Sequence, residues 1–212
     1  MNITSFKRAL VIAPHTDDGE FGCGGTISKL ISSGVEVNYL VFSSCEKSVP
    51  KKYPSDILKK ELINAAKKLG IYEKNIHLLN YDVRTFNFHR QDILDDLIKY
   101  RNKLNPDIVF IPSINDIHQD HSTIAIESIR AFKFNTILSY ELPWNNFTFS
   151  NTCFVLLDEN HVNNKIEALS EYKSQSHRNY SSKKFVKSLA MTRGIQVNSK
   201  FAEIFEVVRI IM

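Results

Sequence analysis

The sequence predicts an α/β sandwich built around a mostly parallel central sheet. Three observations carry this. Short, wholly apolar runs at residues 10–13 and 108–111 read as strands buried on both faces, as in a parallel sheet covered by helices. Segments with apolar residues at three- and four-residue spacing alternate with the strands, the pattern of βαβ units. Polar, ligand-type clusters follow two of the strands, where the crevice of an open α/β sheet lies.

Each element has its own signal. The first strand, residues 10–13, ends at Pro14. A glycine-rich loop is expected at Gly22-Cys23-Gly24-Gly25, followed by a helix marked by Ile27, Leu30 and Ile31 and closed by Gly34. Residues 35–42 read as the second strand. Ser55 stands where it can cap a helix carrying Leu58, Leu62, Ala65, Ala66 and Leu69, which ends at Gly70. A short strand at 76–79 precedes an amphipathic helix over 91–104, with Ile93, Leu94, Leu97 and Ile98 on its apolar side. That helix must stop before Pro106, because a residue preceding proline disfavours helical angles. The strand at 108–111 leads to a helix after His118 with Ile124, Ala125, Ile129 and Phe132 on one face. Strands at 136–140 and 152–157, helices at 162–173 and 183–193 (the second stopped by Gly194) and a strand at 202–211 complete the chain. The later strands are expected to add an antiparallel edge. With no repeat, low-complexity tract or linker, residues 1–212 read as one Rossmann-like domain, within the roughly 250 residues that a single core serves.

Composition narrows the functional classes. The net charge of +4 comes from scattered pairs such as Lys51-Lys52, Lys59-Lys60 and Lys183-Lys184. These read as solvated helix faces rather than a nucleic-acid stripe. Three cysteines without a CxxC pair argue against a disulfide framework and for a reducing cytoplasm. The apolar run after Lys7 and Arg8 is too short for a signal peptide, and no run approaches the roughly 18 apolar residues of a membrane span. A cytoplasmic protein without a membrane segment is expected, with room for a homo-oligomer.

The chemistry concentrates in two places. His15, Asp17 and Asp18 follow the first strand within Ala13-Pro14-His15-Thr16-Asp17-Asp18-Gly19-Glu20, and His118-Gln119-Asp120-His121 stands after the strand at 108–111. Carboxylates next to a buried strand are costly unless they find partners. His15 and Asp18 are three apart, as are His118 and His121, so within a helical turn each pair faces one way. Two imidazoles and a carboxylate make a common catalytic zinc set that leaves a position open for water. The two clusters are therefore expected to meet around one metal ion.

These residues also carry a likeness. His15-Thr16-Asp17-Asp18 with Gly24-Gly25-Thr26, together with His118-Gln119-Asp120-His121, resembles the PIG-L/LmbE-like zinc-dependent N-deacetylases. Tyr172-Lys173-Ser174-Gln175, Arg193-Gly194 and Ala202-Glu203-Ile204-Phe205-Glu206 are similar to later stretches of that family. The resemblance implies one zinc (Zn2+) per chain held by His15, Asp18 and His121. It implies Asp17 as general base, His118 as stabiliser of the oxyanion, and a small-molecule acetamido-sugar substrate such as an N-acetylglucosamine conjugate. Thr16 stands where the family often has proline, and Gly19 where it often has glutamate, with Glu20 one position later. Asp120 is expected to orient an imidazole. Arg84 and Glu46, in loops at the active rim, are candidates for gripping substrate hydroxyls; Trp144 is a candidate for stacking on a sugar, and His177 for lining the pocket.

Other readings use the same residues. His15, Asp17 and His121 also fit the two-histidine, one-carboxylate set of non-haem iron oxygenases, which typically sit on jelly rolls rather than alternating strands and helices. The glycine run suggests a nucleotide- or methyl-donor-binding turn, although GxGxxG fails because its third glycine would fall on Ile27. A non-catalytic metal- or carbohydrate-binding protein is the third reading.

Overall fold

The computed structural model describes residues 3–211. Seven strands form one sheet: β1 (Arg8–Ala13), β2 (Glu36–Val41), β3 (Ile76–Leu78), β4 (Ile108–Pro112), β5 (Thr136–Tyr140), β6 (Cys153–Leu157) and β7 (Phe201–Arg209). Their order is β3-β2-β1-β4-β5-β7-β6. The first five run parallel to one another, while β7 pairs antiparallel with both β5 and β6. The α/β class and mostly parallel sheet hold as expected, but the antiparallel strand is next to last and β6 takes the edge.

Alternation along the strands divides the core. Ala9, Val11 and Ala13 of β1 face one layer, where α1 (Asp18–Ser32), α2 (Ile57–Leu69), α5 (Glu159–Ser170) and α6 (Lys183–Ile195) pack. Leu10 and Ile12 face the other, covered by α3 (Arg90–Leu104) and α4 (Gln119–Ala131). Burial on both sides is why β1 and β4 read as unbroken apolar runs. From β1 the chain winds outward to β2 and β3, then crosses back to start β4 on the other side of β1. The crevice at this reversal opens between the carboxyl ends of β1 and β4.

The expected glycine loop is a correction. Gly22-Cys23-Gly24-Gly25 lies inside α1, which is kinked at Cys23 (φ −144°, ψ 25°). The glycines serve close packing: a Cβ on Gly22 would stand 2.2 Å from the Tyr140 ring, and one on Gly25 would stand 2.5 Å from Leu157 Cδ1. The kink frees backbone N–H groups in mid-helix, which a buried acceptor must satisfy. Glu203 of β7 does so, accepting from Gly25 N (2.9 Å), Thr26 N (2.7 Å) and Thr26 Oγ1 (2.6 Å), and from Lys165 Nζ at 2.7 Å.

Smaller corrections concern helix ends. The N-cap of α2 is Asp56 rather than Ser55, and α5 starts at Glu159 because Asp158 and His161 form a reciprocal capping box. Helix α6 runs through Gly194, whose bare Cα lets the returning backbone pass; a Cβ there would meet Ser199 O at 2.6 Å. Gly70 ends α2 at positive φ as expected.

Glu203 and Lys165 are both buried, so removing one strands the other. Glu203→Ala is expected to cost about 3–5 kcal/mol in urea denaturation, and the double variant Lys165→Met/Glu203→Leu to recover part of that loss. A loss below about 1 kcal/mol would remove this pair from the anchors of α1.

Candidate active site

Both clusters sit at the reversal crevice. Pro14 O accepts from Ser43 N (3.1 Å), so the chain beyond β1 stays beside the chain beyond β2 before turning into α1. Two buried tyrosines fasten this turn. Tyr172 Oη donates to the Thr16 carbonyl, and Tyr39 Oη accepts from Gly19 N at 3.1 Å. Both phenols also reach Glu20, Tyr172 at 2.9 Å. Burial pushes the Glu20 carboxyl up to about 8 despite those hydrogen bonds. Glu20 is thus the shared anchor of the tyrosine pair, and Asp17 and Asp18 are held between two pinned peptide groups.

Asp18 Oδ2 accepts from His15 N (2.9 Å) and lies 3.2 Å from both His15 Nδ1 and His121 Nε2; the two ring nitrogens are 3.1 Å apart. The far side of each ring meets a carboxylate. His15 Nε2 is 3.1 Å from Asp120 Oδ2, and His121 Nδ1 is 2.7 Å from Asp116 Oδ2. These partners assign the protons to the outer nitrogens, so the inner ones turn lone pairs toward each other and toward a carboxylate oxygen. Such an arrangement calls for positive charge at its centre. In the metal-free protein a proton answers that need. Burial opposes charge on His121, but Asp18 and Asp116 push it up to about 10. Burial likewise opposes ionisation of Asp18, yet His121 and His15 hold it well below the usual carboxylate range.

His118 is the N-cap of α4, and its Nδ1 accepts from Asp120 N at 3.2 Å. Its ring stacks on His121 with centroids 4.5 Å apart. Burial and the neighbouring His121 and His15 push its pKa down to about 4. At neutral pH His118 is therefore uncharged, and with Nδ1 accepting, its proton sits on Nε2. The three histidines bring ring nitrogens within 4.8 Å of one another, close enough to hold a metal ion. Asp17 is buried, and desolvation together with the Asp18 charge raises its pKa, with Arg178 opposing.

A cavity of about 300 Å³ opens over this cluster, walled by His15, Asp17, Asp18, His118 and His121 on one side and by Arg84, Trp144, Asn145, Gln175, Arg178 and Tyr180 elsewhere. Arg84 and Trp144 stand on the wall; Trp144 stacks on Tyr180 (centroids 3.9 Å, 9° between planes) and meets Phe21 edge-on. Glu46 and His177 are exposed and lie off the wall. Asp120 lies against the His15 ring through its carboxylate. Asp116, Gln175, Arg178 and Tyr180 were not anticipated. Asp116 had a legible signal, a carboxylate in the same loop as the histidine pair; Arg178 and Tyr180 had none, since only the path from α5 to α6 brings them over the site.

The weaker family-like stretches acquire physical roles. Tyr172 fastens the turn at Thr16; Ser174 is held through its N–H and hydroxyl by buried Glu61, presenting Gln175 to the cavity; Arg193 pairs with Glu141. The glycine run is packed under Tyr140 and Leu157, which leaves the nucleotide- or methyl-donor reading without a phosphate cradle.

The family model described as "GlcNAc-PI de-N-acetylase" (PIG-L) matches residues 10–132, more than half of the chain. The chain belongs to the PIG-L family. It is a deacetylase of that family and a metal-dependent amide hydrolase. It is 29% identical over 176 residues to the uncharacterized deacetylase YaiS of Escherichia coli, covering 79% of this chain and 91% of that one. It is 31% identical over 142 residues to the probable N-acetyl-alpha-D-glucosaminyl L-malate deacetylase 2 of Bacillus cereus, covering 59% of this chain and 60% of that one. In fold it superposes on N,N'-diacetylchitobiose deacetylase from Pyrococcus horikoshii with a TM-score of 0.77 at 23% identity, over 96% of this chain and 84% of that one. Among the described residues no helix is long and apolar enough to cross a membrane.

Asp116→Asn removes the charge that fixes the His121 tautomer and is expected to weaken metal affinity about 10–100-fold in a competitive chelator titration, with the melting temperature little changed. Unaltered affinity would show that Asp116 does not orient the ligand.

Proposed function

We propose that this PIG-L-family deacetylase removes the N-acetyl group of an N-acetylglucosamine-type sugar or sugar conjugate, with one zinc per chain held by His15, Asp18 and His121. The observation that carries the reading is the meeting of two imidazole lone pairs and a carboxylate oxygen at 3.1–3.2 Å. Tetrahedral zinc with bonds of about 2.0–2.2 Å spaces its ligand atoms by roughly 3.3–3.6 Å, so the set fits with a slight spreading. Asp18 is preferred to His118 as third ligand on proton grounds. The His118 Nδ1 lone pair is taken by Asp120 N, so Nε2 carries the proton and has no pair to give.

Zinc in this set would supply Lewis acidity toward an amide carbonyl and lower the pKa of a water to about 7. The remaining work falls to the chain. Asp17, adjacent to Asp18 but diverging from it, takes the proton of the attacking water; its raised pKa makes it a better base than an exposed aspartate. The carbonyl oxygen gains negative charge in the tetrahedral intermediate, and His118 donates to it from Nε2. Because the neutral ring already carries that proton, this donor works without being an imidazolium. Asp17 then returns its proton to the departing amine, which leaves as the sugar amine beside acetate. The names of the relatives support an acetamido sugar as substrate, one acting on an N-acetylglucosaminyl malate and the other on diacetylchitobiose.

Release of free amine and acetate from N-acetylated sugars is the direct assay. Asp17→Ala is expected to keep zinc and lose about 10²–10⁴ in rate. His118→Ala should lower kcat by about 10²–10³ with metal retained. A near-wild-type rate in Asp17→Ala would take that carboxylate out of the mechanism.

A further inference from the structure

Four non-glycine residues have positive φ among the described residues: Cys45, Arg84, Asn105 and Asn198. The two asparagines are of the type that tolerates this region; the other two are not, and both line the cavity over the metal cluster. Arg84 (φ 68°) is held there by its own N–H, which donates to Asp120 Oδ2 at 2.6 Å, and by Phe86 N, which donates to Asp120 Oδ1 at 3.3 Å. The carboxylate that orients His15 therefore also aims the Arg84 loop at the cavity. Among the described residues the Arg84 guanidinium has no hydrogen bond or ion pair, although it borders a cavity lined by two carboxylates, Asp17 and Asp18.

A second guanidinium lines the same cavity. Arg178 is half-buried; its Nη1 is bonded to Tyr180 Oη, whose ring is braced against Trp144. The acids opposite are Asp17 and Asp18. Asp18 belongs to the ligand set and Asp17 is committed to the water. With a divalent cation in place, the wall carries two guanidiniums, neither of them in an ion pair among the described residues. Planar guanidiniums recognise carboxylate and phosphate oxygens far better than hydroxyls, and in a partly desolvated cavity the preference strengthens.

We propose that Arg84 and Arg178 form an anion subsite, so that the substrate is an N-acetylated amino sugar bearing a phosphate or carboxylate, on the sugar or on its aglycone, rather than a neutral saccharide. This rests on the deacetylase reading above and narrows its substrate class. Arg84 is the principal specificity residue, since it is free and its backbone strain is maintained by Asp120; Arg178 supports it from the Tyr180 side.

The test compares zinc-loaded protein on three substrates: methyl N-acetylglucosaminide, N-acetylglucosamine 1-phosphate, and an N-acetylglucosaminide of a hydroxy-carboxylic acid. At least one anionic substrate should exceed the neutral one in kcat/KM by about tenfold or more, the least expected from a charge-assisted hydrogen bond. Which of the two leads tells phosphate from carboxylate. That ratio should fall toward one in Arg84→Gln, whose exposed position makes misfolding no concern, and decline in Arg178→Gln. Equal kcat/KM for all three substrates, or an anionic preference that survives in both variants, would overturn the proposal. Calorimetric binding of glucosamine and glucosamine 1-phosphate separates this outcome from failure of the parent reading. If no acetylated sugar is turned over, tighter binding of the phosphorylated amine that is lost in Arg84→Gln still supports the subsite. Equal binding of the two amines, or a preference unchanged in the variant, rejects it; phosphate bound through the metal alone gives the latter result.

Discussion

Two imidazole nitrogens and a carboxylate oxygen, all presenting lone pairs to one another at 3.1–3.2 Å, repel unless something positive lies between them. Much of the surrounding structure reads as the means of keeping them together. Asp120 and Asp116 hold the outer nitrogens and so fix which side of each ring is basic. The tyrosine pair on Glu20 fastens the turn that carries Asp17 and Asp18. The reversal of strand order brings the ends of β1 and β4 side by side, so residues a hundred positions apart meet without a long loop. Each arrangement costs something alone, in buried charge or ordered backbone, and is stabilised by the others.

The same economy separates the roles of neighbouring residues. Asp17 and Asp18 are adjacent, yet one is driven well below the usual carboxylate range by the histidines while the other is raised by burial and by its neighbour's charge. That split suits one to a cation and the other to a proton. His118 and His121 divide similarly. A backbone N–H occupies the Nδ1 lone pair of His118 and leaves the proton on Nε2, whereas a carboxylate at Nδ1 of His121 leaves the Nε2 lone pair free. Residue type alone would make the two histidines equivalent; their partners make one a donor and the other an acceptor.

Much of this was legible in the sequence because it depended on local order. The apolar runs gave β1 and β4, and the position of His15 and His118 just beyond them gave a shared rim. The glycine run misled, since glycine marks both turns and close approach; only the Tyr140 and Leu157 side chains, more than a hundred residues away, show that packing is the reason here. Arg178 and Tyr180 were illegible for a related reason. They reach the cavity through the fold of the segment between α5 and α6, and nothing in their spacing refers to the clusters they face. Asp116 lay closer to hand, since a carboxylate two residues before His118 stands in the same loop as the histidine pair.

Metal stoichiometry tests the central claim most directly. Elemental analysis of the purified protein, compared with Asp18→Ala and His118→Ala, should find about one zinc per chain in the wild type, little in Asp18→Ala, and near-wild-type content in His118→Ala. Zinc lost with His118 but retained without Asp18 would contradict the account, because the ion would then be held by the three histidines and the proton assignment at His118 would be reversed.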